Sequence, residues 1–194
     1  MVIGLTGGIG CGKSAAAACF AAHGFVHVDA DSLAHRALCL PEVRQAVQQR
    51  WGQGFYHADG SPDRPRIAAK VFAERAELDF LESLVHPLVA DLRREAVADA
   101  SRYYVVEIPL LFEKQLAPEF DRVVCVACSD SVRLQRLQSR GLSPEESERR
   151  IKMQMPMSHK VKNSDYVLWN DGDLPSLQRQ VDRLATQLAA GLSA

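Results

Sequence analysis

Gly7-Gly-Ile-Gly-Cys-Gly-Lys-Ser14 decides how this chain is read, because it puts four glycines into eight residues and ends them on Lys-Ser. It fits G-x-x-x-x-G-K-[ST] in full, with an apolar run, Val2–Leu5, before it and an Ala-rich helical pattern, Lys13–Ala22, after it. Glycine lets successive backbone N–H groups turn inward around an anion. The start of the following helix adds unpaired donors and the positive end of its dipole. The expected ligand is therefore a nucleoside triphosphate, its phosphates cradled by Gly8, Gly10, Cys11, Gly12 and Ala15. Lys13 reaches the β- and γ-phosphates, and the Ser14 hydroxyl ligates magnesium. A decorative glycine turn would leave Lys-Ser at that offset without a purpose.

Outward from the loop, apolar runs recur at Val2–Leu5, Phe25–Val28, Tyr103–Val106, Val123–Ala127 and Tyr166–Trp169. They alternate too little for half-exposed strands and suit strands covered on both faces. Helical patterns separate them: Lys13–Ala22, which stops at His23-Gly24, then Ser131–Gln138 and Leu174–Leu188. Strands alternating with helices predict an α/β fold, a five-stranded parallel sheet with helices on both faces. Between the second and third strands, helical stretches at Glu42–Arg50 and Arg66–Ala100 flank the turn-rich segment His57–Pro62. One domain is expected, with a core over about 1–39 and 101–194, a helical substrate-binding insertion over about 40–100 and a basic lid over about 133–162.

The lid segment, Arg133 to Lys162, carries eight basic residues against three acids, a net of +5. It reads either as a solvated helical face or as a mobile cationic cover over phosphates. The whole chain has 194 residues and a net charge of −1, which gives no global basic field for nucleic acid. No apolar run approaches the roughly 20 residues that span a bilayer, and Met1-Val2-Ile3 leads directly into the loop without a signal-like n-region. Five cysteines without a framework suit a reducing compartment, so the expected location is the cytoplasm, with no membrane or obligatory protein partner called for. Cys125-Val-Ala-Cys128 has redox spacing but lies in or beside a strand, where residues three apart face opposite ways; two buried small hydrophobes are the expectation.

Bound nucleotide alone does not say switch or kinase. A GTPase switch needs Asp-x-x-Gly and Asn/Thr-Lys-x-Asp elements, and the chain has neither. Phosphoryl transfer needs an acceptor hydroxyl in line, a nearby carboxylate and cations over the moving group. Val28-Asp29-Ala30-Asp31 puts two carboxylates at the carboxyl edge of the sheet, on one side of the chain if the strand continues. Asp31-Ser32 alternatively caps a helix over Leu33–Leu38. Glu107, closing the third strand, stands where a carboxylate holds magnesium through water, or is an ordinary strand-end acid. His86 before Pro87, taken alone, reads as a helix-stop residue.

Thr6–Ser14, Asp29-Ala-Asp31, His86-Pro87, Pro109-Leu-Leu-Phe-Glu113 and Asp165–Asn170, in this order, resemble the dephospho-CoA kinase family over nearly the whole chain. The resemblance implies a nucleoside-monophosphate-kinase-like fold and transfer of the ATP γ-phosphate to the 3′-hydroxyl of dephospho-CoA. It implies Asp31 as catalytic base, Lys13 and Ser14 on the phosphates and magnesium, and Arg140 acting from the lid. It places Arg64, His86 and Leu111 on the acceptor side, and Asn170, with the loop to Gly172, at the adenine. Two residues depart from the family pattern: Ala15 stands where Thr is usual, and Arg133 where Gln is common. Another small-molecule phosphate-loop kinase and a nucleotide-binding regulatory module without turnover are the rival readings.

Overall fold

The computed structural model describes residues 1–190. Its sheet comprises β1 (Val2–Gly7), β2 (Val26–Asp29), β3 (Tyr104–Glu107), β4 (Arg122–Ala127) and β5 (Tyr166–Trp169) in the order β2-β3-β1-β4-β5. All strands run parallel, with helices on both faces, as the unalternating apolar runs require. β1 lies at the centre, pairing Ile3 with Val105 on one side and Leu5 with Val124 on the other. The phosphate loop thus leaves the middle strand, at the point where the strand order reverses and α/β sheets open a crevice.

The chain divides into two compact units, one of Met1–Val28 with the chain from Asp99 onward, the other of Asp29–Ala98. In the first, α1 (Lys13–Ala22) and α9 (Leu174–Ala190) cover one face of the sheet. Ile3, Leu5, Val124 and Val126 meet Ala16, Ala17 and Phe20 of α1 and Leu177, Val181 and Leu184 of α9 there, all buried. The alanines of α1 let it lie close to the strands. The remaining volume is filled by Phe20, which stacks edge-on with Phe25, and Phe25 in turn meets Tyr103. α1 stops as its sequence predicts, with His23 as C-cap and Gly24 at φ 86°. The first unit also holds α6 (Asp130–Gln138), α7 (Pro144–Lys152) and α8 (Met157–Lys162).

The second unit consists of α2 (Ala30–Leu38), α3 (Pro41–Trp51), α4 (Arg64–Ala73) and α5 (Arg75–Ala96) around a separate core of Val43, Val47, Phe55, Ile67, Val71 and Val85. It begins at Asp29, earlier than a 40–100 insertion, because α2 packs along α5. The turn His57–Pro62 is held by a bridge between Tyr56 and Pro62 and by Asp59, which accepts from the Ser61 N–H at 2.9 Å. Two local expectations are corrected. β2 ends at Asp29 and the helix begins at once, so Asp29 and Asp31 do not share a strand face. Pro87 lies inside the 22-residue α5, so His86 stops nothing; the proline costs about 3 kcal/mol of helix propensity, offset here by the packing of neighbours such as Val85 and Leu88 into the second core.

Phe20→Ala should lower unfolding stability by about 3–5 kcal/mol, the range for a fully buried ring that leaves a cavity. Phe72→Ala, at a ring 72% exposed, should change it by about 0.5 kcal/mol or less. Urea unfolding followed by circular dichroism checks both; equal losses would show that the sheet–α1 layer is not the dominant core.

Candidate active site

The loop between β1 and α1 uses positive φ angles at Gly10 (81°) and Gly12 (95°). Gly12 is the N-cap of α1, without a side-chain cap and with no acid in the first turn, so the helix start keeps its donors for an outside anion. A side chain at Gly12 would be strained by its φ and would lie 2.4 Å from Asn170 Nδ2. That amide donates to the Cys11 carbonyl at 2.9 Å, and the Ile9 N–H donates to Gln154 Oε1 at 2.8 Å. Lys13 Nζ donates to the carbonyls of Gly7 (3.3 Å) and Gly8 (3.1 Å), so the lysine lies across the loop from which it springs.

Beneath the loop, Cys128 Sγ donates to Cys11 Sγ at 3.4 Å. This hydrogen bond, against the effect of burial, holds the Cys11 thiol below its ordinary range, and the charges of Arg133 and Lys13 act in the same direction. Cys125, the other half of the redox-spaced pair, is pushed up to about 11 by burial. Both Cys125 and Cys128 are buried, as two small core residues should be.

Ser14 Oγ donates to Glu107 Oε1 at 2.9 Å, and His27 Nε2 lies 3.3 Å from Glu107 Oε2. The carboxylate at the end of β3 is therefore held from both sides with the phosphate-loop hydroxyl beside it. A hydroxyl and a carboxylate offer the hard oxygen donors that magnesium takes, in the small number expected when phosphates and water supply the rest.

Next to the loop, a cleft of about 210 Å³ is lined by Gly10, Gly12 and Ala15 together with Arg136, Arg140 and Asn170. The structure brings together all the expected nucleotide residues in this unit, and Arg140 with them. Leu111 is fully buried, its side chain against Gly4 of β1, which makes it a core residue. The basic lid is not one surface. Arg149, Arg150 and Lys152 of α7 are solvated and lie near Glu146 or Glu148, whereas Arg133 and Lys160 are buried. Lys160 Nζ, 0% exposed, lies 2.8 Å from Glu113 Oε1 and donates to the Pro109 carbonyl at 2.7 Å. Glu113 also accepts from the Met155 N–H at 2.9 Å, which fixes the segment running back from α7 to α8. Burial opposes its ionisation, but these donors prevail and hold its carboxyl below the usual range. Sequence reasoning missed Gln154 and Lys160, since a polar residue in a charged run gives no sign of facing inward.

In the second unit the N-cap of α2 is Asp29. Its carboxylate accepts from the Asp31 N–H at 3.1 Å and from Ser32 Oγ at 2.6 Å. Capping therefore falls to Asp29, and the exposed Asp31 in the first turn is not needed for it. Arg64 opens α4 and is exposed. His86 lies on the rim of an apolar groove of about 260 Å³ formed by Ala34 and Leu38 of α2 and Leu81, Val85 and Val89 of α5.

The family model for dephospho-CoA kinase matches residues 1–176. The chain belongs to the dephospho-CoA kinase family. A dephospho-CoA kinase of Thermosynechococcus vestitus is 38% identical over 193 residues, covering 97% of this chain and 95% of the relative. One of Methylococcus capsulatus is 39% identical, covering 95% and 94%. Among solved structures, TT1252 from Thermus thermophilus superimposes with a TM-score of 0.84 at 34% identity, covering 97% of each chain. The family is one of ATP-dependent kinases that transfer phosphate to a hydroxyl.

Asn170→Ala should weaken ATP binding by about tenfold and destabilise the protein by about 1–3 kcal/mol, because the Cys11 carbonyl is left buried without its donor. Calorimetric titration and thermal unfolding measure the two effects. Unchanged ATP affinity would show that this strut does not shape the loop.

Proposed function

We propose that the chain transfers the γ-phosphoryl group of ATP to the 3′-hydroxyl of dephospho-CoA, giving coenzyme A and ADP. The observation that carries this is the phosphate loop with Ser14 hydrogen-bonded to Glu107, in a chain related to dephospho-CoA kinases over nearly its full length. The loop amides and Lys13 hold the triphosphate, and the adenosine occupies the cleft beside Ala15 and Asn170. Ser14 and Glu107 would hold magnesium, which would supply positive charge against the developing negative charge of the phosphates.

Asp31 is the proposed base. Its carboxylate takes the proton of the 3′-hydroxyl as that oxygen bonds to the γ-phosphorus. The bond from γ-phosphorus to the β,γ-bridging oxygen breaks, and ADP leaves with the electron pair. Its exposure and the assignment of the capping role to Asp29 support this reading. Arg140 stabilises charge on the moving phosphoryl group, where cations act most strongly. Arg64 and His86 contact the acceptor, and the α2–α5 groove beside His86 takes the apolar part of its pantetheine arm. The proposed location is the cytoplasm, which suits five cysteines outside any disulfide framework.

ADP release should be rapid only with dephospho-CoA when the protein is given magnesium-ATP and, separately, dephospho-CoA, AMP, CMP, shikimate or gluconate. The product should be heavier by one phosphate at the ribose 3′ position. Asp31→Asn should slow that reaction by about 10²–10⁴-fold with ATP still bound and melting temperature nearly unchanged. Faster turnover of another acceptor would overturn the substrate assignment; a near-normal rate in Asp31→Asn would overturn the base.

A further inference from the structure

Arg133, on α6, is 4% exposed. Its Nε is buried and meets no hydrogen-bond acceptor among the described residues. Nη1 donates to Asp130 Oδ1 at 3.0 Å, but that aspartate, on the same helix, has a side chain 81% exposed. A solvated anion neutralises little of a buried cation's charge. A buried guanidinium with a donor to spare is costly unless an anion completes its surroundings.

The location indicates which anion. A Cβ added at Gly8 of the phosphate loop would lie 3.1 Å from Arg133 Nη2 and 3.2 Å from Cζ, so the guanidinium rests against the loop itself. The Arg133 backbone carbonyl approaches Gly10 in the same way, at 3.3 Å from a Cβ built there. The low thiol range of Cys11, due first to the Cys128 hydrogen bond, is lowered further by the Arg133 charge, which is the effect of a cation close to the loop. One turn along α6, Arg136 also has a buried N–H, Nη1, without an acceptor, while its Nη2 donates to the Gly172 carbonyl at 3.3 Å.

We propose that Arg133 sets nucleotide affinity: a fixed charge lodged against the phosphate loop that stabilises the bound polyphosphate, where the family resemblance implies a neutral Gln. The proposal rests on the loop being the triphosphate site. The charge acts through a close-packed, water-poor layer, where screening by salt is weak. Its effect therefore grows with the number of phosphates on the ligand, which loss of packing alone does not produce.

The test is the dissociation constant of ATP, ADP and AMP, from competition against a fluorescent ATP analogue, for the wild type, Arg133→Gln and Arg133→Lys. Arg133→Gln should weaken ATP by roughly tenfold, ADP by less and AMP by under about twofold, and Arg133→Lys should recover most of the loss. Equal losses for the three nucleotides, no loss for ATP, or a Lys variant as weak as the Gln variant would overturn the proposal. Should Arg133→Gln fail to fold, Arg133→Lys against Arg133→Met, which keeps the volume without the charge, decides by the same criteria. A wild type that binds no ATP would instead overturn the reading of the loop.

Discussion

The nucleotide site depends on keeping the backbone of Gly8–Gly12 in one conformation that its glycines have no side chains to enforce. The loop is mostly glycine, so its order is imposed from outside. Asn170 holds the Cys11 carbonyl from the end of β5, Gln154 holds the Ile9 N–H from the segment before α8, and Cys128 supports Cys11 from the end of β4. Each support comes from a different element of the same unit. The central position of β1 places the carboxyl ends of β4 and β5 on one side of the loop and that of β3, with Glu107, on the other.

The same arrangement explains why so many polar groups are buried here. Lys160 and Glu113 pin the chain between α7 and α8, and through Met155 they fix the position of neighbouring Gln154. A buried ion pair of this sort adds little net stability, since desolvation offsets its Coulomb energy, but breaking it on one side leaves a charge stranded. It specifies one path for the backbone. Glu107 is held similarly by Ser14 and His27, which fixes the oxygen donors suited to magnesium beside the loop. In both cases the cost of burying charge is linked to a defined geometry at the loop.

The parallel sheet and its order of elements were legible because buried strands are continuous apolar runs, and β1 to β5 fall on the five runs with ends differing by a residue or two. The phosphate loop was legible because its chemistry requires glycine, lysine and serine at fixed offsets. Asp29 and Asp31 were not separable, since either residue suits an N-cap and only the onset of α2 at Ala30 assigns the role to Asp29. Pro87 inside α5 shows tertiary packing overriding a local rule. The burial of Leu111 and Lys160 was not legible for a common reason: a motif or a charge run does not say which way a side chain points, and both turn inward.

The account stands on Lys13 serving the phosphates and not the fold. Its ammonium group donates to the loop carbonyls of Gly7 and Gly8. The most direct measurement is turnover of magnesium-ATP with dephospho-CoA by Lys13→Ala, taken together with its melting temperature. The account predicts turnover lost by several orders of magnitude with the melting temperature within a few degrees of the wild type. A variant that turns over at the wild-type rate with undiminished ATP affinity would contradict it.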